Sequence, residues 1–242
     1  MSLILPQRGR IRQAAAGGAV SFVGETAWIK ALGTDASLTV DLTEITGLAE
    51  DDYVLCYFGD NSNTGTSRAL DGSTGWTEVL GLYGAGALDS IVQVWGKVMG
   101  ATVDTSIVSS RAPGVAFSKV GKAYAFRGVN TTTPTGQITS AVISATQELA
   151  IPVITPDASN TFLMTVFGSG NTRNSTAHIS TAGDSFDDTD LGWARHTYNF
   201  GYGLCYVDWA GGEFDPGTFD GSTETDATGY SAAGGTIELN PA

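Results

Sequence analysis

Two short runs constrain the fold of this chain more than any other feature. YVLCYF (53–58) and TFLMTVF (161–167) offer apolar side chains to both sides of an extended strand, and a polar, turn-forming stretch follows each. A strand with one wet face alternates, as ASLTVDL (36–42) does, with Leu38, Val40 and Leu42 on one side and Thr39 and Asp41 on the other. A strand that is apolar on both sides must be covered on both sides. These two segments therefore predict strands buried within a sandwich.

The remaining sequence reads in the same style. WTEVL (76–80), IVQVWGKVM (91–99), KAYAFRGV (122–129), QITSAVIS (137–144) and GGTIEL (234–239) are short β segments between turn signals. In 91–99 the face carrying Val92, Val94 and Val98 is the better core candidate, opposite Ile91, Gln93, Trp95, Lys97 and Met99. The chain favours Gly (32 of 242 residues), Thr, Ser, Val and aromatics, which suit turns and pleated strands better than long helices. Its length allows a sizeable core without disulfides or metals. The predicted fold is all-β: an antiparallel β-sandwich, a jelly-roll-like form included. An extended arm over 1–24 precedes a body over 25–242. The acidic stretch 184–226 reads as loop-rich.

EITGLAEDDYVLCYFG (44–59) aligns with VITPDASNTFLMTVFG (153–168) at an offset of 109. Ile45/Ile154, Thr46/Thr155, Ala49/Ala158, Phe58/Phe167 and Gly59/Gly168 are identical, and GW at 75–76 recurs at 192–193. The order of parts predicts two similar halves, about 25–134 and 135–242, interlocked in one sandwich. The alignment sets Cys56 against Thr165. Cys56 and Cys205 lie in apolar, aromatic runs and read as two buried thiols or as one bridge, and no zinc-type spacing occurs.

The formal net charge is −13, which disfavours a nucleic-acid face. The arm departs from that balance: it carries Arg8, Arg10 and Arg12 and no acid, behind the apolar Leu3, Ile4 and Leu5. A basic, apolar arm on an acidic body points to docking on a neighbouring copy or another partner. No run is long and apolar enough for a membrane helix, and MSLILPQRGRIR lacks the order of a secretory signal, so membrane insertion and export by that signal are not expected.

GLAEDDYVLCYFGDNSN, GW at 75–76, VQVWGKV and AYAFRGVNTTTP form an ordered series. It resembles a β-sandwich domain of tailed-phage, prophage and gene-transfer-agent structural proteins. The resemblance covers about 44–134, and departs from that pattern at Phe126 (usually Tyr) and Asn130 (usually Asp). It implies a virion protein assembled in the host cytoplasm and displayed on the head surface, as decoration or head fibre, or on the tail. Its partners would be capsid or tail proteins and copies of itself, and host-surface polysaccharide where it contributes to attachment.

The alternatives are a glycan-binding, lectin-like module and, remotely, a glycosidase. Trp193, His196, Tyr198, Tyr202, Tyr206 and Trp209 form a dense aromatic series that suits sugar rings, although Tyr198, Phe200 and Tyr202 share a strand face and equally suit core or a subunit contact. Asp184, Asp187, Asp188 and Asp190 are a calcium candidate that lacks the EF-hand spacing, against the plainer reading of a solvated acidic loop. No GxSxG accompanies His178 and His196, so neither a catalytic role nor a cofactor is expected. Arg127 is expected to hold a neighbouring loop through forked hydrogen bonds.

Overall fold

The computed structural model describes residues 19–33, 37–61, 69–85, 89–110, 117–144, 148–171, 177–195, 199–221 and 231–242. Among them the chain is almost wholly strand, with one 3₁₀ turn at Leu42–Glu44. No described helix is long and apolar enough to cross a membrane. The first half runs β1 (Ser21–Glu25), β2 (Ile29–Gly33), β3 (Ser37–Asp41), β4 (Tyr53–Asp60), β5 (Thr77–Gly84), β6 (Ser90–Val98), β7 (Ser106–Ser110) and β8 (Phe117–Arg127). The second runs β9 (Thr135–Ile143), β10 (Glu148–Ala150), β11 (Thr161–Asn171), β12 (His178–Thr181), β13 (Asp188–Arg195), β14 (Asn199–Trp209), β15 (Thr218–Asp220) and β16 (Ala232–Leu239).

Each half builds its own large sheet, and the two sheets follow one plan. The first has the order β1-β8-β4-β6-β5, with β2 also on β8; the second, read in the same sense, is β9-β16-β11-β14-β13. The small sheets match too: β3 pairs β7 in the first half, and β10 pairs β15 in the second. The strand β12, also on β15, has its counterpart in the isolated bridge Leu70↔Ser109. Every ladder is antiparallel, and neither half lends a strand to the other's large sheet. A jelly roll would interleave strands between sheets, so the arrangement is a repeated unit instead.

The offset of 109 is visible in the backbone. Among the described residues Asp51 and Asn160 are the two non-glycine positions with positive φ, 65° and 55°, and they are 109 apart. Both turn the chain into the central strand of their sheet, where Asp and Asn tolerate left-handed backbone better than most residues. The repeated Gly59 and Gly168 have a packing cause. A Cβ on either would come within 2.5–2.6 Å of the Phe200 ring, which fills the gap between the sheets there. The repeated GW has no such equivalence. Trp76 precedes β5 and donates its indole N–H to Asp104 (2.9 Å), whereas Trp193 lies inside β13 opposite Gly201.

The stack has four layers. Between the large sheets lie Tyr53, Leu55, Tyr57, Val92, Val94, Tyr124 and Phe126 from the first and Phe162, Met164, Val166, Phe200, Leu204, Ile237 and Leu239 from the second. The outer face of the first sheet buries Val54, Cys56 and Phe58 under Leu38, Val40 and Ile107 of the small sheet. The outer face of the second buries Phe167 and Cys205 under Leu149 and Phe219. This double cover is why YVLCYF and TFLMTVF are apolar on both sides. The two cysteines sit in different outer layers as free, buried thiols. Strand pairing begins at Ser21, inside the span read as arm, and Val20 is only 5% exposed in the central layer.

Candidate functional site

The two ends of the sandwich are unlike. At one end, the base, Val129 bridges Pro241, Asn130 N–H donates to Asn240 O (2.9 Å) and Ala242 N–H to Gly128 O (2.8 Å). Ala19 leads into β1 at this same end, where its carbonyl oxygen lies 2.7 Å from a Cβ built on Gly128. Ala19 and Ala242 therefore both belong to the base. At the other end, the tip, lie Gly33, Asp60, Phe117, Asn171, Asn199 and Ala232. Beneath the tip the strands carry buried polar groups: Asp60, Asn61, Asp89, Ser118 and Lys119. Asn61 Oδ1 accepts from Ser118 N–H (3.1 Å).

Arg127 braces the base as the sequence predicts. Its Nε and Nη2 donate to the two carboxylate oxygens of fully buried Asp52 (2.8 and 2.7 Å), and Nη2 also donates to Gly47 O (3.0 Å). Asp52 in turn accepts from Ala49 N–H (2.8 Å) and fixes the turn ahead of β4.

The two long edges of the sandwich are seams where the large sheets meet solvent. One lies between the β1–β2 strap and β13. Residues of β13 opposite Leu204 and Tyr206 point inward, which aims Asp190 and Asp188 into the seam. From β8, Lys122 reaches them with its side chain 3% exposed; it contacts Asp190 and lies 3.1 Å from Glu25 Oε1. Its ammonium also sits 5.6 Å from the Trp28 ring centre and 5.0 Å from that of Tyr124. Aromatic rings line the seam on both sides of this centre. Phe22 stacks on Tyr206 (5.0 Å), and Trp28 packs on Tyr202 (4.1 Å) and Tyr57 (5.7 Å). Glu25 Oε2, Trp28 Nε1 and Tyr124 OH are buried there without a hydrogen-bond partner. Burial, and then the nearby Asp188, Glu25 and Asp187, push the Tyr206 hydroxyl up to about 12. Tyr124 is raised by burial first and by Glu25, Asp190 and Asp188 after it, and Tyr202 by burial and Asp190.

The other seam lies between β5 and β9. The ladder registers show that Lys122 and Gly235 hold equivalent positions, as do Asp190 and Leu80, Tyr206 and Gly96, and Glu25 and Ile138. Where one seam is filled by charge and large rings, the other is aliphatic or bare. Near the base it opens as a cleft of about 500 Å³ lined by Tyr53, Val79, Val98, Pro134 and Ile138 together with Thr77, Glu78, Lys97 and Thr135.

The predicted aromatic series does not form one surface. Tyr202 and Tyr206 face the central layer, and Trp209 packs on Phe214 (4.9 Å) near the base. Trp193 is half-buried on the outward side of β13 near the tip; His196 and Tyr198 lie outside the described residues, in the β13–β14 connection. The four aspartates disperse as well. Asp184 Oδ2 accepts from Asp215 N–H (2.8 Å) and Asp187 Oδ2 from Asp208 N–H (2.8 Å), while Asp188 and Asp190 enter the seam. Their strand pairing pulls them to different places, and among the described residues no group of three or more His, Cys, Asp or Glu could hold a metal ion. His178 lies on β12. Leu3, Ile4, Leu5, Arg8, Arg10 and Arg12 lie outside the described residues. Sequence reading missed the Glu25–Lys122–Asp190 centre, since its members come from β1, β8 and β13 and share no local motif.

Comparison with protein-family models, with curated proteins and with solved structures finds no match.

Proposed function

We propose that the protein is a structural display module of a phage-like particle, on the head surface as decoration or fibre, or on the tail. It is fixed by its N-terminal arm, and its tip segments face outward. The carrying observation is that the described chain begins and finishes at one end of the sandwich, where Ala19 and Ala242 both lie against Gly128. Four packed layers make a rigid body between the two ends, which suits a spacer that holds loops away from an attachment point. The particle itself enters through the resemblance over 44–134. The partners in this reading are capsid or tail proteins and further copies of the chain, and no catalytic step is part of it. The test is deletion of residues 1–18, stopping short of buried Val20. The shortened chain should fold with an unchanged melting temperature and be absent from particles imaged by electron microscopy. A shortened chain that still incorporates refutes the reading.

A second reading, glycan contact at the tip, draws on the β13–β14 hairpin. It carries Trp193 to the tip and continues into His196 and Tyr198. Trp193→Ala should then abolish retention on host-surface polysaccharide, while Tyr206→Phe, in the central layer, should leave it unchanged.

A further inference from the structure

Four large apolar side chains are exposed among the described residues: Phe22, Ile138, Val142 and Val153. Ile138 (36%) and Val142 (42%) share one face of β9, opposite Ile237 and Ala233 of the central layer. β9 is also the last strand of its sheet, so its outer edge has no ladder partner among the described residues. A free edge with apolar side chains beside a cleft is a site for strand addition unless something covers it. The strap side shows what cover looks like in this frame. There, Phe22, Glu25 and Trp28 close the gap, where β9 offers only Ile138 and smaller side chains.

The geometry points to the N-terminal segment of a second copy as the occupant: Leu3, Ile4 and Leu5 fill the cleft and the residues after them extend along the free edge of β9. This rests on the arm-docking part of the proposed function and needs no particle. Three observations select this segment. The arm leaves the base, and the cleft opens at the base beside Tyr53, Val98 and Pro134. Eighteen residues precede Ala19, and fully extended they span up to about 60 Å, enough to reach a neighbouring body. Charge is complementary: the arm carries three arginines and no acid, and the total of −13 less +3 leaves −16 on the remainder. The chain's own arm is the poorer fit, because Ala19 leads into β1 at one edge of the first sheet and the cleft lies beside β5 at the other. Docking is therefore an exchange of arms between copies, which closes as a pair when it is reciprocal and continues as a chain when it is not.

Sedimentation velocity on the full chain should show concentration-dependent association, lost on deletion of 1–18 and lost in Ile138→Asp. Ile138 is exposed, so that variant should keep its melting temperature. A synthetic peptide of residues 1–18 should bind the shortened body, with affinity falling about tenfold or more in Ile138→Asp, as expected for an apolar anchor. A full chain that stays monomeric at every concentration, or a peptide that binds both bodies alike, overturns the inference. If the peptide fails to bind while deletion of 1–18 still removes the protein from particles, the cleft assignment falls and the proposed function stands. If the peptide binds and deletion leaves incorporation intact, the reverse holds.

Discussion

The Glu25–Lys122–Asp190 centre permits a quantitative test, because the fold supplies its own control. Lys122 has a side chain 3% exposed, while Glu25 and Asp190 are 37% and 31% exposed. Removing one partner of a buried ion pair costs about 3–5 kcal/mol, mostly from the charge left behind. Asp190→Leu leaves the more deeply buried member with Glu25 and the more distant Asp188 to face it, so its cost should fall near the lower end, about 3 kcal/mol. Lys122→Met leaves two carboxylates that water can reach, and its cost should be smaller, about 2 kcal/mol. The equivalent positions in the other seam are Gly235 and Leu80, so this frame accepts an uncharged seam. The double variant Lys122→Met/Asp190→Leu should therefore lie within about 1 kcal/mol of the parent, well short of the sum of the singles. Urea unfolding at neutral pH, repeated in high salt, measures all four corners of the cycle. Strictly additive costs, or an Asp190→Leu penalty below about 1 kcal/mol, would refute the assignment of Lys122 as a desolvated charge held by its partners.

Three further outcomes follow from the packing. Gly168→Ala places a Cβ 2.5 Å from Val92 and 2.6 Å from the Phe200 ring, and overpacking of this kind should cost about 1–3 kcal/mol in the same unfolding assay. Cys56 and Cys205 are 0% and 1% exposed, and burial raises both thiols. An aromatic disulfide reagent should thus find no reactive thiol in the native protein and two after denaturation. Tyr57, Tyr124, Tyr202 and Tyr206 all have hydroxyls raised above their usual value, mainly by burial. A raised native pKa gives stability that is complete below about pH 10, the unfolded value, and is lost as pH climbs through the native values. Tyrosinate absorbance and loss of native circular dichroism should accordingly rise together above that pH, and tyrosinate that appears while the fold persists would count against the burial of these rings.

The parts of the fold legible in the sequence were those set by local pattern. Two apolar runs required double cover, and the four layers supply it. The offset of 109 followed from residues under a backbone or packing constraint: Ile45 and Ile154 in the outer layers, and Gly59 and Gly168 against Phe200. The GW pair misled because a two-residue match carries no register. The acidic stretch 184–226 read as loop because NFGYGLCYVDW alternates glycine with bulky residues. There, a Cβ on Gly203 would lie 2.5 Å from Leu191 Cδ2, so glycine marks close cover over a strand instead of a turn. The seam charges were illegible for another reason. Lys122 and Asp190 are 68 residues apart, and only the face-to-face packing of the two sheets brings them together.

Comparing the halves position by position also separates what the frame requires from what one edge has added. Residues that recur at equivalent places, such as Phe58 and Phe167 or Gly121 and Gly234, occupy the layers any such unit needs. Residues that differ concentrate at the seams: Lys122 against Gly235, Tyr206 against Gly96, Glu25 against Ile138. A pair of interchangeable halves would offer the same edge twice and could add partners indefinitely on both sides. One seam is crossed by the rings and charges of the strap and β13, and the other keeps aliphatic side chains at the same positions, so the two copies of one unit present different edges to a neighbour.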